Sequence, residues 1–189
     1  MIHRRIAAPA LASEHITLAA AKEHLRVTDS ADDALIQSLI SEVRQMGEDI
    51  TSRAWCTSTW VAVLDEFLCD GIRLPAPPVV SVTSVQYVDE SGVSQTLATP
   101  LWQLDSDSEP GYLFPAYGTT WPTTRPQANA VRITCTCGYP VGTLPESLRR
   151  WMLLHIGHAY EHREATGDQR LVELPYTRGL LDSYRIFTL

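Results

Sequence analysis

Two stretches with the period of a helix bracket a long stretch that lacks it. Thr17 precedes Leu18-Ala19-Ala20-Ala21-Lys22-Glu23-His24-Leu25-Arg26-Val27, which predicts a short helix opened by Thr17 and stopping near Val27. Ser30-x-x-Asp33 has the form of a capping box and opens a longer predicted helix. In that helix Ile36, Leu39, Ile40, Val43, Met46 and Ile50 recur at three- and four-residue steps, so one face is expected to be apolar, with Glu42, Arg44, Glu48 and Asp49 largely off it. The helical pattern returns where Thr143-x-x-Glu146 and Pro145 mark a start, and Leu148, Trp151, Met152, His155, Ala159 and His162 follow a stripe. Residues 151–156 are nearly apolar all round, as in a buried central helix. A short last helix is expected over 177–184, after Pro175.

Residues 56–140 hold most of the prolines and glycines, many Val and Thr residues, and no sustained helical period. Strands are expected at 57–64, 71–74, 79–87, 93–97, 102–105, 112–114 and 130–137, with Asp89-Glu90-Ser91-Gly92 as a hairpin turn. The proline-rich stretches 75–78 and 115–126 read as turns or extended loops. The fold class is therefore expected to be α+β. A helical core of two N-terminal helices, a central helix in the C-terminal half and a short last helix would carry an inserted antiparallel β subdomain. In boundaries, 1–189 forms a single domain, with 16–55 and 143–185 as helical core, 56–140 as β-rich insertion and 186–189 as C-terminal tail.

Composition fits that picture. With 189 residues, 44% hydrophobic and 20% charged, the chain has enough apolar material for one core of ordinary size. The apolar runs are too short to span a bilayer, and residues 1–13 carry arginines without a proper apolar segment or small-residue cleavage site, so neither a secretory signal nor membrane association is expected. A soluble, cytosolic chain is expected, and Cys56, Cys69, Cys135 and Cys137 are then expected as thiols rather than disulfides. A net charge of -7 argues against a chain whose main task is gripping nucleic acid, because phosphate neutralisation needs clustered Lys and Arg. The charge is uneven, with nine acids against two arginines between Asp29 and Asp70 and six against six from Glu146 to Leu189. Lys22 is the only lysine, an arginine bias that suits bidentate pairing at subunit interfaces but that a GC-rich genome explains more simply.

Candidate chemistry is sparse. His155, His158 and His162 share one predicted helix, where His158 and His162 are spaced to chelate a metal, yet there is no H-E-x-x-H motif and no acid or cysteine tied to them. Packing or hydrogen bonding between helices is the expected role. Cys135-Thr136-Cys137 puts two thiols on one strand face, a single pair without the second pair of a zinc site, and buried thiols are expected instead. Asp105, Asp107 and Glu109 lack the glycine and twelfth-position glutamate of an EF-hand loop and read as a solvated loop. Neither a G-x-S-x-G elbow nor a phosphate-binding glycine loop occurs. No catalytic, cofactor-binding or metal-binding residue is expected, a metal-dependent hydrolase built on the histidine helix being the weakest alternative.

The order of parts resembles the head-tail connector (adaptor) proteins of tailed bacteriophages, particularly the group whose core helices carry a β-rich insertion. The resemblance runs through residues 16–27 and Asp32-Asp33-Ala34-Leu35-Ile36, then Leu74-Pro75-Ala76-Pro77-Pro78 with Val82-Thr83-Ser84-Val85. It continues through Trp121-Pro122-Thr123-Thr124-Arg125, Asn129-Ala130-Val131-Arg132, Gly138-Tyr139, Leu144-Pro145-Glu146, Gly157-His158-Ala159-Tyr160 and Arg163-Glu164. It departs at Ala20, where an acid would complete the first capping box. The resemblance implies a structural, non-enzymatic protein of the virion neck, forming a homo-oligomeric ring, usually a dodecamer, under the portal protein. Such a ring docks a stopper or tail-completion protein and lets double-stranded DNA pass without specific binding. A tail-completion or stopper role is the alternative within the same neck. The resemblance also puts portal binding in the C-terminal segment. There Arg178 and Arg185 offer charge-assisted contacts, and Leu180, Leu181, Tyr184, Ile186, Phe187 and Leu189 offer apolar anchors.

Overall fold

The computed structural model describes residues 2–6, 9, 14–162 and 175–186. Among the described residues, four α-helices, α1 (Leu18–Leu25), α2 (Asp33–Thr51), α3 (Glu146–Glu161) and α4 (Pro175–Asp182), accompany eight strands in an α+β arrangement. The strands are β1 (Ile2–Arg5), β2 (Ser58–Leu64), β3 (Ile72–Arg73), β4 (Val79–Val88), β5 (Ser94–Thr96), β6 (Trp102–Asp105), β7 (Tyr112–Pro115) and β8 (Val131–Cys137). The chain divides into two compact units, residues 1–9 with 56–139 and residues 10–55 with 140–189.

The β unit is built on β8. Its residues alternate strictly: Val131, Ile133, Cys135 and Cys137 are inaccessible, while Arg132 is exposed and Thr134 and Thr136 are half-buried between them. Two long strands flank it, giving a five-stranded sheet in the order β1-β2-β8-β4-β5, antiparallel throughout. Register is set by opposed core residues, Ile133 pairing Ala62 on one side and Val85 on the other. Two irregularities in β4, between Val79 and Ser81 and between Val82 and Ser84, interrupt its pairing with β8. The turn after β4 closes as expected, with Gly92 N–H donating to the Asp89 carbonyl at 2.8 Å and the Asp89 carboxylate accepting from Val93 N–H at 2.9 Å. A second, three-stranded sheet in the order β3-β7-β6 opposes buried Ile72 and Leu113. The proline-rich loop that follows is fixed by an aromatic stack, Trp121 lying flat on Phe67 at 4.7 Å while its indole N–H donates to the Leu68 carbonyl. Gly138 ends β8 with φ of 107°, and a side chain there would overlap the Cys56 backbone.

β1 carries no sequence signal. Ile-His-Arg-Arg has no apolar alternation, and it becomes a strand only because the β2 edge offers backbone partners from Trp60 to Val63. The Arg5 guanidinium then lies 4.7 Å over the Trp60 ring.

In the helical unit, Thr17 caps α1 as expected, its hydroxyl accepting from Ala20 N–H at 3.1 Å, and the helix ends at Arg26 in the left-handed region. Two other expected caps do not form. Asp32, not Ser30, stands at the N-cap of α2 without a side-chain cap bond; its carboxylate accepts from the Tyr160 hydroxyl at 2.6 Å instead, and Asp33 pairs with Lys22. Thr143 turns back to the Pro140 carbonyl, leaving Pro145 as the N-cap residue of α3.

The buried face of α2 also differs from expectation. Ile36, Leu39, Ile40 and Val43 are buried, but Met46 and Ile50 are each 40% exposed and Arg44, Gly47 and Glu48 are inside instead. Trp55 explains the rotation. Its ring sits where a side chain on Gly47 would be, meets Trp151 edge to face at 5.7 Å, and donates its indole N–H to Thr51 Oγ1 at 3.0 Å. Arg44 is held from both sides, donating to Glu14 at 2.9 Å and to Glu48 at 2.6 Å, and Glu48 also accepts the Trp55 backbone N–H. A buried charge is tolerated only when paired this way.

Candidate functional site

The C-terminal helix is short and amphipathic. Thr177 and Leu181 are buried in the helical unit, Leu180 is half-buried and Arg178 is exposed. After the helix, the Tyr184 carbonyl accepts from Arg53 Nε, and the Arg53 guanidinium lies 6.0 Å over the Tyr184 ring. Ile186 N–H donates to the Thr51 carbonyl at 3.0 Å, and Arg185 approaches Asp182 at 3.9 Å. Of the residues expected to bind a portal, Leu181 is thus committed to its own unit, whereas Arg178 and Arg185 are exposed; Phe187 and Leu189 lie outside the described residues. Beside α4 lies a hollow of about 320 Å³ whose lining includes Met46, Ile50, Trp151, His155, Leu181 and Arg185. Met46 and Ile50, which the inward turn of Arg44 and Glu48 leaves at the surface, share its apolar wall with Trp151 and Leu181.

The histidines of α3 do not act as one group. His155 is half-buried, stacks on Trp151 at 3.9 Å and bonds the Trp151 carbonyl through Nδ1, contacts made within α3 itself rather than between helices. His158 and His162 are exposed, their rings 4.6 Å apart, rather than packed between helices as expected. The reason is angular: one turn separates them, and that face of α3 points away from Leu148, Met152 and Ile156 in the core. Among the described residues no three His, Cys, Asp or Glu side chains converge on a point that could hold a metal.

Cys135 and Cys137 lie side by side on the buried face of β8, Sγ to Sγ 3.6 Å, without a disulfide. The hydrogen bond to Cys135 together with burial pushes the Cys137 thiol far above the usual thiol range, which disfavours thiolate chemistry. Asp105 turns its carboxylate onto its own loop, accepting from Asp107 N–H, Ser108 N–H and the Ser108 hydroxyl. These bonds, the Ser108 hydroxyl first, lower its pKa, as a solvated turn aspartate requires.

Residues that sequence reasoning assigned to the wrong environment are Arg44 and Glu48. The only local hint was the Arg44 to Glu48 spacing of one helical turn; the acid that completes the set, Glu14, lies thirty residues upstream.

Residues 15–73 match the family model for the phage gp6-like head-tail connector protein. No curated protein matches the chain. Among solved structures, a chain in the neck of an empty gene transfer agent (GTA) particle, computed with C6 symmetry, superposes with a TM-score of 0.82 at 23% identity, covering 100% of this chain and 97% of that one. A chain in the virion of the native GTA particle gives 0.80 at 24% identity with the same coverage. Another, in the neck of the native GTA particle computed with C12 symmetry, gives 0.78 at 23%, again covering 100% of this chain and 97% of that one. The chain therefore has, along its whole length, the fold of chains found in those particles, and residues 15–73 carry the sequence signature of phage head-tail connector proteins.

Proposed function

We propose that this protein is a structural head-to-tail adaptor of a tailed phage or phage-like particle, one subunit of a ring that sits under the portal, connects head to tail and lines the DNA passage. The observation that carries the reading is the whole-chain superposition on a neck chain, a TM-score of 0.82 over 100% of this chain, with the connector signature in its first third. The role requires no catalytic group. It requires rigid walls and complementary surfaces, and a helical unit with a buried Trp55–Trp151 contact together with a β unit of two antiparallel sheets supplies both. The net charge of -7 suits a passage that must not retain DNA, since acidic walls repel phosphate.

The C-terminal segment is the portal-facing element in this reading. Leu181 anchors α4 to its own unit, while the exposed Arg178 and Arg185 would meet acidic groups of the portal and the half-buried Leu180, Tyr184 and Ile186 its apolar groups. A stopper or tail-completion protein would dock on the opposite rim. The test is an electron-microscopy map of the assembled neck. Density for this chain as a ring touching the portal supports the adaptor reading; a ring that touches only tail components assigns the chain to the stopper or tail-completion class instead.

A further inference from the structure

The five-stranded sheet ends in two strands of contrasting chemistry. On one side β1 is outermost, and within Ile2-His3-Arg4-Arg5 the side chains of Ile2, 62% exposed, and Arg4 face solvent. Arg73 adds a further positive charge near His3. On the other side β5 is outermost, entered from the hairpin Asp89-Glu90-Ser91-Gly92-Val93, where Val93 is 54% exposed and Glu90 is exposed. Some of these charges are already engaged. The Asp89 carboxylate holds Val93 N–H and the Gln95 side chain, Arg5 lies over Trp60, and Arg125 reaches the space above Gly92. Each edge is left with an exposed β-branched residue and an outward charge, the charges being opposite: Ile2 with Arg4, and Val93 with Glu90.

The two edges cannot meet within one sheet. Four strand spacings of about 4.8 Å separate them. They are complementary between copies, and an edge strand with exposed apolar side chains is a ready template for another chain. A contact between two different surfaces of the same chain is heterologous, and repeated with rotation it closes a ring. We propose that β1 of one copy docks against the β4–β5 hairpin of the next, with Ile2 against Val93 and Arg4 against Glu90. This inference rests on the ring reading above and names the surfaces that build the ring.

The test uses full-length protein carrying R4E, E90R or both substitutions. Sedimentation of concentrated protein at low salt should show self-association of the wild type, weakened about tenfold by either single change, as for a contact across an electrostatically matched interface. The double variant should regain it, because each copy then offers the reversed pair. Unchanged far-ultraviolet circular dichroism excludes misfolding as the cause. Failure of the double variant to recover, or a monomer at every concentration, overturns the proposal. Imaging of necks assembled from the single variants separates the two readings: normal rings from both overturn the edge contact and leave the adaptor reading standing, whereas no ring from wild-type protein removes the adaptor reading.

Discussion

Gly47 shows how one position reverses an ordinary rule. In an exposed helix interior, alanine is about 1 kcal/mol better than glycine. Here a methyl group at residue 47 would overlap the Trp55 ring, which is itself inaccessible and locked by its bonds to Thr51 and Glu48. Gly47→Ala should therefore destabilise the protein by about 1–3 kcal/mol, read as a lowered denaturation midpoint. Arg44 is more critical still, because Glu14 and Glu48 are 7% and 4% exposed and share its guanidinium. Arg44→Ala leaves two buried carboxylates without their cation and should cost about 3–5 kcal/mol in urea unfolding. At the surface, the bonds from Gln95 and Val93 N–H to Asp89, and those from Ser108 to Asp105, hold both carboxyls below the usual aspartate pKa. A lowered folded pKa means that the unfolded chain binds more protons, so each contribution is complete above about pH 4 and lost as pH falls through the lower folded value. Carbon-detected NMR titration should give midpoints below about 3.9 for both residues, and an ordinary midpoint would show that these turn bonds do not persist in solution.

Among the elements, α4 would separate folding from the proposed portal recognition within eight residues. Leu181 is 3% exposed, so Leu181→Ala should lower stability by about 2–5 kcal/mol. Arg178 is exposed on the same helix, and Arg178→Glu should cost far less stability than Leu181→Ala while sharply weakening binding to portal rings. Equal portal affinity for Arg178→Glu and wild type would remove this residue from the interface. Truncation is the poorer test, because removing residues 184–189 also deletes the Tyr184 and Ile186 bonds to Arg53 and Thr51.

On the scale of the whole molecule, the fold stands as two compact units joined in one chain, and the assembly proposed for it depends on contacts that a lone subunit leaves unmade. Ile2, Val80, Val93, Tyr117 and Val141 are each at least half exposed. Isolated subunits are expected to be monomeric or weakly associated at micromolar concentration and to close into rings on the portal, which orients successive copies. Light scattering with and without purified portal rings checks this. A stable dodecamer in dilute solution would contradict the dependence on the portal and leave the adaptor role intact.

What the sequence determined by itself was whatever depends on near neighbours. The strict alternation of β8, the Asp89 to Gly92 turn and the Thr17 cap were all legible, because side-chain period and turn chemistry act within a few residues. The connector resemblance was legible for the same reason, being a series of short local matches, and the family model finds its own match within 15–73. Tertiary structure alone decided the rest. The inward face of α2 was settled by Glu14 and Trp55, which bring Arg44 and Glu48 inside and turn Met46 and Ile50 out, although the apolar stripe pointed the other way. Tertiary pairing also made a strand of Ile2–Arg5, placed β8 between β2 and β4, and docked α4 through Leu181. These outcomes rest on partners tens of residues distant, whose pairing and burial energies outweigh a local pattern and are not written in it.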